Sequence, residues 1–163
     1  MATEFHTTLD SPIGRLLLMA NASGLHHIGF QDTPRALRPL PDSHDDAAHF
    51  HDICAQLQAY FAGTLRRFTL LLAPHGTAFQ QRVWQALQAI PYGRTTSYGA
   101  VARQLDHPTA ARAVGAANGQ NPLPIIIPCH RVIGSTGALH GYAGGMDVKH
   151  WLLTHEGVDI PAP

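Results

Sequence analysis

Apolar residues in the first thirty positions fall into short runs of strand length. Residues 15–20 and 25–30 are two such runs, and Asn21-Ala22-Ser23-Gly24 lies between them. Polar and glycine residues between two apolar runs predict a hairpin. Residues 32–46 are dense in proline and aspartate and read as a loop. Over residues 47–62 the period changes. Phe50, Ile53, Cys54, Leu57, Tyr60 and Phe61 recur at helical spacing. A further short strand is predicted over residues 68–72, and Ala73-Pro74-His75-Gly76 reads as a linker.

Beyond the linker the pattern predicts short helices and tight turns. Thr77 caps a helix running to Ile90, with Phe79, Val83, Trp84 and Leu87 on one face, and Pro91-Tyr92-Gly93 breaks it. Ser97 caps a second helix to about Leu105. Asp106-His107-Pro108 then forms a three-residue turn before a third helix over residues 109–118. Two short helices across a tight turn make a helix-turn-helix candidate. The third helix is almost without bulk: Ala110, Ala111, Ala113, Gly115, Ala116 and Ala117 surround one long side chain, Arg112. Such a helix either packs closely on a neighbour or is thin so that its backbone can enter a narrow groove.

The chain has 163 residues, room for one good core or two small ones packed together. No apolar run approaches membrane-spanning length, and the first residues lack a charged-then-apolar leader. The formal charge is zero, but residues 1–78 carry −2 and residues 79–163 carry +2. That asymmetry suits modest, salt-sensitive contact with phosphates and excludes a strong electrostatic footprint. Two cysteines, Cys54 and Cys129, make no disulfide framework. A reactive thiol requires a reducing compartment, so the expected location is the cytoplasm.

The candidate chemistry sits at Ile125-Ile126-Ile127-Pro128-Cys129-His130-Arg131-Val132-Ile133-Gly134. The β-branched run predicts a strand, which the proline ends, presenting the cysteine at its terminus. The residues that follow, a histidine and an arginine, supply groups able to take the thiol's proton and stabilise its anion. A thiolate so made is a nucleophile.

From Thr77 to Val158 the chain resembles the O6-alkylguanine-DNA alkyltransferases, the methylated-DNA–protein-cysteine methyltransferases. The likeness runs collinearly through Phe79-Gln80-Gln81-Arg82-Val83-Trp84, Ile90-Pro91-Tyr92-Gly93, Ser97-Tyr98-Gly99, Ala110-Ala111-Arg112-Ala113-Val114-Gly115, Asn121-Pro122, the cysteine motif, Gly141-Tyr142-Ala143-Gly144-Gly145 and Trp151-Leu152-Leu153-Thr154-His155-Glu156-Gly157. It is nearest to the stand-alone bacterial form. Residues 1–74 are similar only in outline, through Ser11-Pro12-Ile13-Gly14 and Tyr60-Phe61-Ala62-Gly63.

The resemblance implies an α+β chain. A small ribonuclease H-like α/β domain over residues 1–74 precedes a mostly helical, winged helix-turn-helix-like domain over 75–163. It implies direct repair, with the alkyl group of O6-alkylguanine, or of O4-alkylthymine, passing irreversibly to Cys129 after the nucleotide is flipped out. His130 would take the thiol proton through a water, with Glu156 holding His130. Tyr98 would serve guanine N3, and Arg112 would fill the gap in the stack. Ser97, Ala110 and Ala111 fall on the DNA-binding segment. Val132, Tyr142, Ala143 and Asn121 fall around the base pocket, Asn121 in a more architectural role. Residues 141–145 would form one wall of that pocket. The implied partner is double-stranded DNA containing alkylated guanine, with the protein acting as a monomer, away from membranes.

Twelve histidines raise the question of a metal. His44, His49, His51 and Cys54 cluster around the first long helix, and His26-His27 lie on a strand. No paired-cysteine zinc spacing exists, so exposed histidines, a core Cys54 and no required cofactor are expected. Three other classes compete. A non-catalytic lesion-recognition module would lack the reactive cysteine. A cysteine hydrolase would need Cys129 and His130 to pair directly, which is awkward for adjacent residues on an extended segment. A helix-turn-helix transcription regulator explains neither the cysteine motif nor Tyr98.

Overall fold

The computed structural model describes residues 2–137, 139 and 141–161; the outermost ends of the two expected domains lie outside them. It divides into two compact units at the His75/Gly76 boundary, within the linker segment.

The first unit is built on a four-stranded sheet whose strands lie in the order Gly24–Phe30 (β3), Gly14–Asn21 (β2), Phe5–Ser11 (β1) and His44–Asp45 (β4). Strands β1 (Phe5–Ser11) and β2 (Gly14–Asn21) are antiparallel, from Phe5 opposite Ala20 to Ser11 opposite Gly14. Strand β3 (Gly24–Phe30) completes the expected hairpin, with a register shift at Met19/Ala20. Every residue from Leu16 to Ala20 is buried, so β2 is covered on both faces and shows a continuous apolar run rather than alternation. The loop segment supplies only β4 (His44–Asp45), parallel to β1. The expected first helix divides into a 3-10 turn at Ala47–Phe50, capped by Asp46, and α1 (His51–Phe61). Phe50, Leu57 and Tyr60 are buried with Leu16, Leu17, Leu18, Leu25 and Ile28.

The strand expected over residues 68–72 does not form. Its alternation is real, but only Leu72 bridges, to Leu25. The Gln56 side chain accepts from Thr69 N at 2.9 Å and donates to Thr69 O at 3.3 Å, taking the groups a ladder would have used.

In the second unit, α2 (Ala78–Gln88) opens with a reciprocal capping box between Thr77 and Gln80 and buries Val83, Trp84, Ala86 and Leu87. The Trp84 indole donates to Ala117 O at 2.8 Å, joining α2 to the end of the helix over Ala111–Gly119. Strand β5 (Thr96–Ser97) leads into α3 (Tyr98–Gln104), whose first turn is capped by the Ser97 hydroxyl on Ala100 N. Helix α4 (Ala111–Gly119) follows. The connection covers residues 105–110, longer than the three-residue turn expected, and Asp106 in it has φ of 60°.

The Ile125–Ile127 run is a turn, not a strand. Two side-chain amides replace the sheet partner it lacks. Asn121 Nδ2 donates to Ile127 O at 2.8 Å while its Oδ1 accepts from Leu123 N at 3.0 Å, and Asn118 Nδ2 reaches Cys129 O at 3.4 Å. Burial, not pairing, explains the β-branched residues: Ile125, Ile126 and Ile127 are all in the core. A 3-10 turn at Cys129–Arg131 follows, then β6 (Val132–Ile133), parallel to β5, and α5 (Met146–His155).

Candidate active site

Cys129 is 5 % exposed and opens the 3-10 turn, so Cys129, His130 and Arg131 leave the backbone about 120° apart. The extended geometry assumed in setting aside a hydrolase is therefore absent. What separates the residues is their partners. His130 is fully buried and its Nε2 lies 2.8 Å from Glu156 Oε2. Glu156, 26 residues further on, is the C-cap of α5, a place that disfavours a carboxylate. Burial works against its charge as well. Hydrogen bonds from His130 and Arg131 outweigh both and hold its carboxyl far below the usual range.

Because an ionised carboxylate only accepts, His130 Nε2 carries the proton and Nδ1 the lone pair. Nδ1 is buried and has no hydrogen-bond partner among the described residues. Burial pulls the His130 pKa down against the opposing pull of Glu156, favouring the neutral ring.

Arg131 was expected to stabilise the thiolate. Instead its Nε and Nη2 donate to Glu156 at 2.7 and 3.0 Å, and its Nη1 donates to Ile90 O at 2.7 Å. Its guanidinium carbon lies 5.7 Å from the centre of the Tyr92 ring. Gly93 N also approaches Glu156, 3.4 Å from Oε1, and a Cβ on Gly93 would meet the Glu156 carbonyl at 3.0 Å. The Pro91-Tyr92-Gly93 break thus brings backbone against the carboxylate.

The cation acting on the sulfur is Lys149, a residue the sequence argument missed. It is fully buried on α5, and its Nζ donates to Val132 O at 2.8 Å. Burial pushes its pKa down, and the charge of Cys129 pushes it back up. For Cys129 burial raises the thiol, against hydrogen bonding from Asn121, the Lys149 charge and hydrogen bonding from Tyr142. A signal for Lys149 existed: Lys149, Leu152, Leu153 and Glu156 are spaced as one helical face.

A cavity of about 620 Å³ is lined by Tyr98, Ala111, Arg112, Gly115, Gly119, Gly141, Tyr142 and Ala143. Tyr98 and Tyr142 both interact with Cys129. Ala111, Gly115 and Gly119 form one stripe of α4 that lines the cavity, while the helix also packs on α2 and α3 with Val114 and Ala117 buried, so both uses of its small residues are present. Tyr98 is half-buried, and burial, then the Cys129 charge, raises its pKa, keeping the phenol a proton donor. Arg112 is exposed at the rim. Ala110 stands at the start of α4, and Ser97 serves as a cap. Val132 contributes its carbonyl to Lys149, and Asn121 ties the turn beneath Cys129.

Cys54 is half-buried, with its thiol pushed up by burial, rather than a core residue. Among the described residues no three His, Cys, Asp or Glu side chains are grouped to hold a metal ion, and no helix is long and apolar enough to cross a membrane.

Residues 5–74 match the ribonuclease-like domain of 6-O-methylguanine DNA methyltransferase, and residues 78–158 match its DNA-binding domain. Fold and site together define the class, a DNA-repair methyltransferase of α+β architecture. The methylated-DNA–protein-cysteine methyltransferase of Methanosarcina acetivorans is 47% identical, covering 94% of this chain and 98% of its own. That of Mycobacterium bovis is 48% identical, covering 96% and 94%. The crystal structure of the Mycobacterium tuberculosis O6-methylguanine methyltransferase superposes with a TM-score of 0.87 at 46% identity, covering 99% of this chain and 97% of that one. The chain belongs to the methylated-DNA–protein-cysteine methyltransferase family, whose members repair O6-methylguanine by direct reversal.

Proposed function

We propose that Cys129 is the acceptor and that each molecule reacts once. The thiolate attacks the O6-alkyl carbon, the S–C bond forms as the C–O6 bond breaks, and the electron pair remains on guanine. The thiol proton passes to His130 Nδ1 through a bridging water, and guanine gains one proton on leaving. The net exchange is an alkyl group for a proton on sulfur. The observation that carries this reading is the buried Cys129–His130–Glu156 array, whose one uncommitted ring nitrogen adjoins the thiol in sequence. Tyr98, held protonated, donates to the base as charge builds on it.

The substrate is duplex DNA, with the nucleotide flipped out at a cost of about a few kcal/mol. A Mycobacterium tuberculosis relative, 48% identical with a TM-score of 0.87, has been solved in complex with DNA. The thin face of α4 admits the base, and Arg112 occupies the vacated place in the stack. The protein acts as a monomer in the cytoplasm, where a free thiol stays reduced.

Incubation with duplex DNA containing O6-methylguanine, followed by intact-mass and peptide measurement, tests it. The expected gain is one equivalent of about 14 Da on Cys129. Modification at Cys54 or multiple turnover would refute the assignment. Cys129→Ser should abolish transfer and leave DNA binding intact.

A further inference from the structure

His130 has a carboxylate partner that is itself already engaged. The Glu156 carboxylate is held by side chains that are at least nine-tenths buried, with one contact from His130 and two from Arg131. The third arm of the guanidinium is fixed on Ile90 O, just past the end of α2. Arg131 therefore has no freedom to turn toward the thiol.

We propose that Arg131 is a positioning residue for proton transfer: by gripping both oxygens of Glu156 and sharing its charge, it holds His130 as a neutral Nε2–H ring with Nδ1 left to accept. This rests on the assignment of His130 as the proton acceptor. Facing Glu156 alone in a buried site, the imidazole would form a complete ion pair and would already hold the proton it is meant to take. With Arg131 in place the carboxylate orients the ring without charging it. Bidentate geometry matters here, since a fork fixes both oxygens and leaves Oε2 aimed at Nε2. The charged and titratable groups facing His130 are Glu156 and Lys149 from α5, and Arg131 and Cys129 from its own turn. Arg131 and Lys149 both act to keep the ring neutral.

The test is the titration of His130 in the full chain, followed by imidazole nitrogen NMR. In the native protein the ring should be the neutral Nε2–H tautomer at neutral pH. An imidazolium there would overturn the proposal with no variant needed. Arg131→Met should raise the His130 midpoint by about one unit or more, and the acid limb of single-turnover transfer should move with it. Arg131→Lys should shift it less, because the charge stays while the fork is lost. The double variant R131M/E156Q restores the neutral sum of the pair and should return the midpoint close to the native value. A folded R131M protein with an unmoved midpoint, or a double variant shifted as far as R131M, would show that Arg131 only packs. Failure of the acceptor assignment is separately visible: His130→Asn would then transfer at the native rate, whatever the titration shows.

Discussion

At the scale of single residues, the second unit holds an unusual concentration of buried charge: Arg131, Lys149 and Glu156, with His130 among them. Such groups make stability depend on pH. Glu156 has a folded pKa below its ordinary 4.5, so its contribution is present above that value and lost as pH falls through the folded one. His130 has a folded pKa below its ordinary 6.5, so the unfolded chain takes up its proton first, and that contribution too is lost on acidification. Urea melts from neutral pH to about pH 4 should therefore show stability declining below about 6.5 and more steeply below about 4.5. Glu156→Gln should be less stable at neutral pH and lose the steeper part. Cys129, His130 and Arg131 announced themselves in sequence by adjacency. Glu156 was reached only through family likeness, and Lys149 was missed because a lysine in a helix ordinarily reads as solvated.

At the scale of elements, local signals read well and borrowed hydrogen bonds did not. The hairpin and the Thr77 and Ser97 caps rest on neighbours in sequence, and all are present. Strand β1 and helix α5 were not anticipated, and two predicted strands are absent. In both absences a side-chain amide, Gln56 or Asn121, takes the backbone groups, and no period along the chain reveals that. Helix α4 shows the opposite case, a weak pattern with a clear use. A Cβ on Gly115 would lie 3.7 Å from the Tyr98 ring, an ordinary contact. Gly115→Ala should therefore raise stability by up to about 1 kcal/mol through helix propensity. Gly115→Leu should keep the helix but slow transfer on duplex DNA by about tenfold or more, because it fills the cavity. Denaturant melts and single-turnover rates on the same samples separate the two effects; equal rates would mean the stripe does not admit the base.

At the scale of the whole molecule, the neutral total conceals a division of labour. The second unit exposes Arg82, Arg94, Arg103 and Arg112, and none of these forms an ion pair among the described residues. If all four met phosphates, log affinity would fall against log salt with a slope of about −3.6, at about 0.9 per contact. Anisotropy titrations over a salt series should give a slope no steeper than this. Replacing Arg94 or Arg103 should reduce it by at most about one. A steeper slope would require cations of the first unit to reach the DNA. Pro74 and Gly76 interrupt both patterns at once, in the segment where the two units part.

The indole of Trp84 has a consequence in optics. The chain carries two tryptophans, and Trp151 is half-exposed and stacked on His155. Trp84 is dry, and its N–H is bonded to the carbonyl of Ala117, near the end of the helix that lines the cavity. Its emission is set by that one bond and by the absence of water. Motion of α4 away from α2 would lengthen the bond or wet the ring, so the Trp84 part of the emission is a built-in gauge of that displacement, readable in real time without a label.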